Sequence, residues 1–158
     1  MKTLLNFSFL TIFLLTAVLS FSHNDDKTKN KSTEKAKSIS LENFPTDMGI
    51  NHINGWGGMT VGVNEFPAGT DFAPVLEGLK NNSCQVPHWG LVLEGKARID
   101  YTDGTQVILS KDDIYYMPPG HNMVVMKDMK VLEFSPEKEF SELLKHIQKK
   151  MEEAQNQQ

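Results

Sequence analysis

The sequence predicts a single all-β domain followed by a C-terminal amphipathic helix. Between residues 39 and 134, short apolar runs alternate with turn residues at nearly regular spacing, which is typical of an all-β sandwich or barrel. After residue 135 the apolar residues recur with a helical period instead. The chain has 158 residues, enough for one compact domain with extensions at its ends.

The predicted strands are bounded by turn residues. Residues 59–66 alternate between apolar and polar and stop at Pro67-Ala68-Gly69. Residues 86–101 form one long strand, or a hairpin interrupted at Glu94-Gly95, and Asp103-Gly104 is a typical hairpin turn. Further short strands are predicted at residues 107–109, 114–117, 123–126 and 130–134.

The C-terminal region, residues 136–158, is predicted to form a helix and a short tail. Its apolar stripe has helical spacing and consists of Phe140, Leu143, Leu144, Ile147 and Met151. Ser135 is expected to cap the helix and Pro136 to occupy its first turn. The stripe has two interpretations, because it can pack against the chain's own β domain or bind a partner.

The N-terminus has the layout of a secretory signal peptide. Lys2 is followed by an apolar run over residues 4–19 and by the small residues Ser20 and Ser22, so residues 1–22 are assigned as the signal. An uncleaved anchor, the only membrane contact expected, is the alternative. Polar, lysine-rich residues 23–40 are predicted to be a flexible linker, and residues 41–135 the β domain. We therefore expect a secreted, periplasmic or cell-envelope protein.

Composition excludes several classes of protein. The chain is 39% hydrophobic and 23% charged, which is ordinary for a soluble globular protein. The formal net charge is −4 and Arg98 is the only arginine, so a nucleic-acid partner is not expected. The single cysteine, Cys84, rules out an intramolecular disulfide and a zinc site made of cysteines alone.

Cys84 and His88 are the first candidates for site chemistry. In a regular strand they share one face, provided that Pro87 does not shift the register. A thiol and an imidazole side by side suit a transition metal. The alternative is a buried cysteine beside a hydrogen-bonded core histidine.

The segment around these two residues resembles the first motif of the cupin superfamily, written G-x5-H-x-H-x(3,4)-E-x6-G. Gly95 corresponds to the closing glycine, and His88 then takes the position of the glutamate. Cys84 takes the position of the second histidine and Asn82 that of the first.

The second cupin motif, G-x5-P-x-G-x2-H-x3-N, resembles the segment that contains Pro118-Pro119-Gly120. Asp112 stands at the opening glycine, Met123 at the histidine and Lys127 at the asparagine, while His121 precedes Met123 by two residues. The resemblance spans residues 60–134 and implies a double-stranded β-helix, or jelly-roll barrel, with a site inside it. Because the usual ligands are replaced, it implies no particular reaction.

Together, these observations predict that Cys84, His88 and His121 bind one divalent transition metal. The resemblance implies that the segments holding them face each other across the barrel cavity. Cysteine and histidine favour zinc, iron, nickel or copper over magnesium or calcium. Three protein ligands leave one coordination position for water or substrate. Glu133 is expected to be a solvated strand residue, with the roles of fourth ligand or base as alternatives.

Other histidines and tyrosines have less specific surroundings. His52 is expected in a surface loop and His146 on the exposed side of the helix. Tyr115 and Tyr116 point to opposite faces of their strand, so one of them is expected to direct its hydroxyl into the cavity.

Three functions are compatible with these features. The first is a metal-dependent enzyme acting on a small molecule, the second a ligand-binding or sensing protein without catalysis, and the third a metal-free interaction module. Trp89, Leu91 and Leu93 make the strand face opposite His88 apolar, so a second subunit is expected to cover it and form a homodimer.

Overall fold

The structure is a computed structural model that describes residues 35–45 and 50–156. Six strands form one antiparallel sheet: β1 (His52–Ile53), β2 (Met59–Phe66), β3 (His88–Tyr101), β4 (Gln106–Ser110), β5 (Ile114–Met117) and β6 (His121–Pro136). Two α-helices accompany them, α1 (Ala73–Leu76) and α2 (Glu137–Gln155), with short 3-10 helices at Leu41–Asn43 and Lys80–Asn82. The all-β fold class with a C-terminal helix is therefore confirmed.

The sheet is organised around its two long strands, β3 and β6, which pair along nearly their whole length. β2 pairs with the C-terminal half of β6, whereas β5 and β4 pair with successive parts of β3. The register between β3 and β6 shifts three times between Val92 and Ala97. Such bulges bend strands and increase their twist, which lets a sheet curve around a core.

The bulge depends on Gly95, whose φ of 88° lies in the left-handed region. A Cβ atom at this position would overlap the backbone of Asp128 and Met129 on β6. Glycine is therefore required here for two reasons, its backbone conformation and the close approach of the neighbouring strand.

Two apolar clusters border a cavity that lies between the sheet and the helices. The cluster inside the sheet contains fully buried Val92, Ala97 and Ile99 together with Val125 and Met129. A second cluster joins the helices to the segment before β3 and contains Leu76, Cys84, Val86, Phe140, Leu143 and Ile147. The apolar stripe of α2 thus packs on its own domain; its last member, Met151, is 52% exposed.

Several strand predictions need correction. Residues 123–126 and 130–134 belong to one strand, β6. Because β6 pairs with both β2 and β3, it continues without a break across the polar residues Lys127 and Asp128. Residues 86–101 form one strand from His88 onward and not a hairpin, since the bulge absorbs Gly95. The predicted strand at 59–66, that at 114–117 and the Asp103-Gly104 turn are confirmed.

The start of the C-terminal helix also differs from the prediction. The helix begins at Glu137, and its N-cap residue, Pro136, makes no side-chain cap hydrogen bond. Ser135 lies in β6 and does not cap the helix, because its hydroxyl is hydrogen-bonded to His88 inside the domain.

The predicted signal peptide, residues 1–22, and most of the predicted linker lie outside the described residues. Residues 35–40, the described end of that linker, have no regular secondary structure and are exposed. Within residues 35–45 and 50–156, no helix has the length and hydropathy needed to cross a bilayer.

Candidate metal centre

Cys84 lies just before β3, on a segment that pairs with the beginning of β6. Its amide donates to the His121 carbonyl at 2.9 Å, and its carbonyl accepts from the Gly120 amide at 2.7 Å. The prediction that Cys84 and His88 share a strand is therefore wrong. Pro87, which has no N–H to donate, separates the Cys84 bridge from β3, and that strand starts only at His88.

His88 is the first residue of β3, and its imidazole is held at both nitrogens. Nδ1 lies 2.8 Å from the Ser135 hydroxyl and 3.1 Å from Oε1 of Glu133. Nε2 lies 3.4 Å from the Cys84 sulfur. Two residues on β6 therefore fix the ring so that Nε2 faces the thiol.

His121, the first residue of β6, is fixed in a similar way. Its Nδ1 lies 2.6 Å from the carbonyl of Pro118, which leaves Nε2 as the available ring nitrogen. The His88 and His121 rings meet edge to face with their centroids 5.2 Å apart. The Pro118-Pro119-Gly120 turn thus sets the orientation of this histidine.

The three predicted ligands come together. One donor atom from each of Cys84, His88 and His121 lies within 4.8 Å of the others, and all three residues are buried. The expectation that their segments face each other across the cavity is wrong, because Cys84 and His121 are neighbours in an antiparallel bridge. This bridge places the side chains of Cys84 and His121 next to each other.

Glu133 is not the solvated strand residue that the sequence predicts. Its side chain is 16% exposed, and its second carboxylate oxygen, Oε2, accepts a hydrogen bond of 3.0 Å from the Tyr115 hydroxyl. Position 133 faces Gly90 in the register of β6 with β3, and a side chain at Gly90 would collide with Tyr115. Gly90 therefore makes room for a chain of contacts from Tyr115 through Glu133 to His88.

The charged forms of the buried groups in this cluster stabilise one another. Burial opposes the charged form of Cys84, but hydrogen bonds with His121 and His88 outweigh it and lower the pKa of the thiol to about 6. Burial likewise disfavours an imidazolium at His88, yet the Glu133 carboxylate and Cys84 raise its pKa to about 10. Burial would raise the pKa of Glu133, but the attraction of His88 lowers it.

A cavity that opens to solvent adjoins the cluster, and the empty space in it is about 550 Å³ when the part in open solvent is included. Its wall is mostly apolar and includes Phe66, Phe72, Leu76, Met117, Met123, Phe140, Leu143 and Ile147. The polar lining consists of the three clustered residues, Glu133 and Asn64. Among the residues that the structure describes, no lysine or arginine contributes to this wall.

The sequence alone does not reveal the roles of Ser135 and Asn64, and it predicts the wrong environment for Glu133. The signal for Glu133 is Gly90, since a glycine inside a strand marks the close approach of another group. Asn64 is buried on β2 and accepts the Asn51 amide at 2.7 Å. A serine or an asparagine in the sequence of one strand gives no signal that its side chain is buried beside a site.

The remaining candidates lie outside the cluster. His52 is half-buried in β1 and contacts Phe140 edge to face, so its assignment to a surface loop is wrong. His146 is half-buried on α2 and bonds the Glu77 carbonyl at 3.1 Å. Of the two tyrosines, Tyr115 points inward, whereas Tyr116 is 53% exposed and stacks on Trp89.

The donor geometry fits a metal ion. Metal–nitrogen distances of about 2.0–2.1 Å and metal–sulfur distances of about 2.3 Å place donors roughly 3.6 Å apart in a tetrahedral site. The 3.4 Å between Cys84 Sγ and His88 Nε2 is close to this value. Hydrogen bonds at the other nitrogen of each imidazole are the usual outer support of histidine ligands.

Comparison with known proteins gives similarity only among solved structures. Neither a protein-family model nor a curated protein matches the chain. A Rhizobium leguminosarum protein of unknown function is 18% identical, with a TM-score of 0.47 over 65% of this chain and 97% of that one.

Two other similar solved structures are described as cupins, the family whose motifs the sequence resembles. The Cnp3 cupin domain of Schizosaccharomyces pombe is 17% identical, with a TM-score of 0.45 over 63% of this chain and 73% of that one. A cupin-2 domain protein of Shewanella frigidimarina is 15% identical, with a TM-score of 0.41 over 59% and 84%.

Proposed function

We propose that this chain is an exported cupin-type protein that binds one divalent transition metal through Cys84, His88 and His121. The metal would be zinc, iron, nickel or copper, and the adjoining cavity would hold a small-molecule ligand. The observation that carries the proposal is the convergence of three buried donors whose orientations are fixed by neighbouring residues. One metal ion placed among these donors would bind all three at once.

The cavity wall defines the kind of ligand. Three phenylalanines, Phe66, Phe72 and Phe140, surround an apolar space, and the polar groups lie together at one end. A ligand with an apolar body and one metal-binding donor matches this division. The side chain of Asn64 offers an amide to a second polar atom of such a ligand.

The protein residues have separable roles in this proposal. Cys84, His88 and His121 bind the metal, whereas Glu133 and Ser135 hold the His88 ring in position. A metal with an open coordination position acts as a Lewis acid or lowers the pKa of a bound water. The Tyr115 hydroxyl donates a hydrogen bond to Glu133, which helps to stabilise the buried carboxylate in its charged form.

Metal analysis of the purified protein tests the proposal. Wild-type protein loaded with zinc and then dialysed is expected to retain about one metal ion per chain, as a three-ligand site requires. Cys84→Ser and His88→Ala are each expected to lose it, and His146→Gln, which changes a histidine outside the cluster, to keep it. Circular dichroism of each variant checks that the fold is retained.

The proposal is wrong if wild-type protein, supplied in turn with zinc, iron, nickel and copper, retains none of them. That result would support a second function, a metal-free cavity that binds a small ligand without catalysis. The hydrogen bonds among Cys84, His88, Glu133 and Tyr115 favour this alternative, because they satisfy the cluster without an ion. Turnover of a substrate by the metal-loaded protein would distinguish an enzyme from a binding protein.

A further inference from the structure

Two methionines lie beside the proposed metal ligands. Met117 is paired directly with His88 in the register of β5 with β3, and directly opposed side chains in an antiparallel pair lie on the same face about 4.5–5.5 Å apart at their Cβ atoms. Met123 follows His121 by two residues on β6, and thus also shares its face. Both methionines line the cavity that contains Cys84, His88 and His121.

This set of donors is soft. A thiolate and two imidazoles define a plane, and a thioether is a weak ligand that binds copper better than it binds zinc, iron or nickel. One thiolate, two histidines and a distant methionine are the donor set of the copper sites in which the thiolate gives intense visible absorption.

We propose that the site is selective for copper, with Cys84, His88 and His121 as its three strong ligands and a thioether of Met117 or Met123 as its weak fourth ligand. This inference rests on the proposed function and names the metal for the same three residues. Both imidazoles already present Nε2 toward the thiol side, since Pro118, Ser135 and Glu133 occupy their other nitrogens. The protein therefore holds both imidazoles in their coordinating orientation before a metal binds. Such preorganised ligands favour one coordination geometry.

Titration of metal-free protein with zinc, and separately with copper(II) under anaerobic conditions, tests the inference. Copper is expected to bind at about one equivalent and to give an intense thiolate-to-copper absorption in the visible range, which is absent in Cys84→Ser. Most sites of this kind bind copper(II) more tightly than zinc, so the informative quantity is the change in the copper preference between the wild type and its variants. This preference should fall on the order of tenfold in the double variant M117L/M123L, in which leucine retains the volume of methionine.

Met126→Leu is the matched control, because Met126 is 50% exposed on β6 and does not line the cavity. Its absorption and its copper preference should equal those of the wild type. Each single variant, M117L and M123L, then shows which thioether shifts the absorption.

The outcomes separate this inference from the proposed function. If neither metal binds, the proposed function fails and the copper inference fails with it. If zinc binds at one equivalent but copper gives no thiolate absorption, the metal site stands and the copper inference is overturned. An M117L/M123L variant with unchanged absorption and unchanged preference for copper would overturn the role of the thioethers.

Discussion

At the scale of single residues, the central feature is the buried row Tyr115–Glu133–His88–Cys84. Each contact in it is 3.0–3.4 Å long, and each partner compensates for the cost of burying the next. Glu133 is the key member, because it both orients the His88 ring and stabilises a proton on it. That proton must leave before His88 can bind a metal.

Metal affinity should therefore depend on pH in a way that Glu133 controls. The pKa of Cys84 is about 6 and that of His88 about 10, so from about pH 7 to 9 His88 still carries a proton while Cys84 has lost its own. The apparent affinity for zinc, measured by competition with a chelator, should rise about tenfold per pH unit over this range. In Glu133→Gln the pKa of His88 falls and the rise should level off at a lower pH.

Glu94→Gln is the control for this experiment, because Glu94 is exposed on β3 and lies away from the cluster. Its profile should match that of the wild type. Identical pH profiles for the wild type and Glu133→Gln would contradict the role assigned to the carboxylate, whatever the change in absolute affinity.

At the scale of elements, β3 and β6 carry the site between them. His88 begins β3 and His121 begins β6, and Cys84 is held by a bridge to that same end of β6. Ser135 and Glu133, near the other end of β6, lie beside His88 because the two strands are antiparallel. The bulge at Gly95 sets the shift in register between the half of β6 that pairs beside His88 and the half that begins at His121, so the site depends on a glycine outside the cluster.

Gly95→Ala should destabilise the protein by about 2–5 kcal/mol, from backbone strain combined with overlap against Asp128. Gly104→Ala is a matched control, since Gly104 has nearly the same φ of 87° but nothing within 4 Å of an added Cβ. It should cost only the strain, roughly 1–2 kcal/mol. Urea unfolding of both variants measures the difference, and equal losses would show that the close approach of β6 contributes nothing.

The strands and the site differ in how far the sequence predicts them. Residues 59–66, residues 114–117 and the Asp103-Gly104 turn follow from alternation and turn chemistry, which are local. The placement of Cys84 and Glu133 depends on which strands pair and in what register. A single sequence does not contain that information, so strand periodicity alone puts Cys84 in the same strand as His88 and Glu133 in solvent.

At the scale of the whole molecule, one apolar face remains uncovered within the described residues. Trp89, Tyr116 and Ile114 are 41%, 53% and 87% exposed, and the first two rings stack with their centroids 5.0 Å apart. The helix α2 packs on the cavity side together with Cys84 and Val86. It therefore does not cover Trp89, and a second subunit is the cover that we continue to predict.

The homodimer prediction is tested by light scattering on residues 23–158. The wild type should have twice the mass of the chain, and Trp89→Lys should be monomeric because a charge would be buried at the interface. Met151→Lys, at an exposed position on α2, should remain dimeric. A monomeric wild type at high protein concentration would show that this face stays open to solvent.

X-ray absorption spectroscopy of the metal-loaded protein tests the metal centre most directly, because it reads the ligands from the metal itself. We predict one sulfur at about 2.3 Å and two imidazole nitrogens at about 2.0–2.1 Å. Cys84→Ser is not expected to retain the metal through dialysis, so the variants are measured with the metal added and not dialysed away. The sulfur at about 2.3 Å should then be absent from Cys84→Ser and unchanged in His146→Gln. A coordination sphere of oxygen and nitrogen only, identical in the wild type and Cys84→Ser, would contradict a metal centre formed by Cys84, His88 and His121.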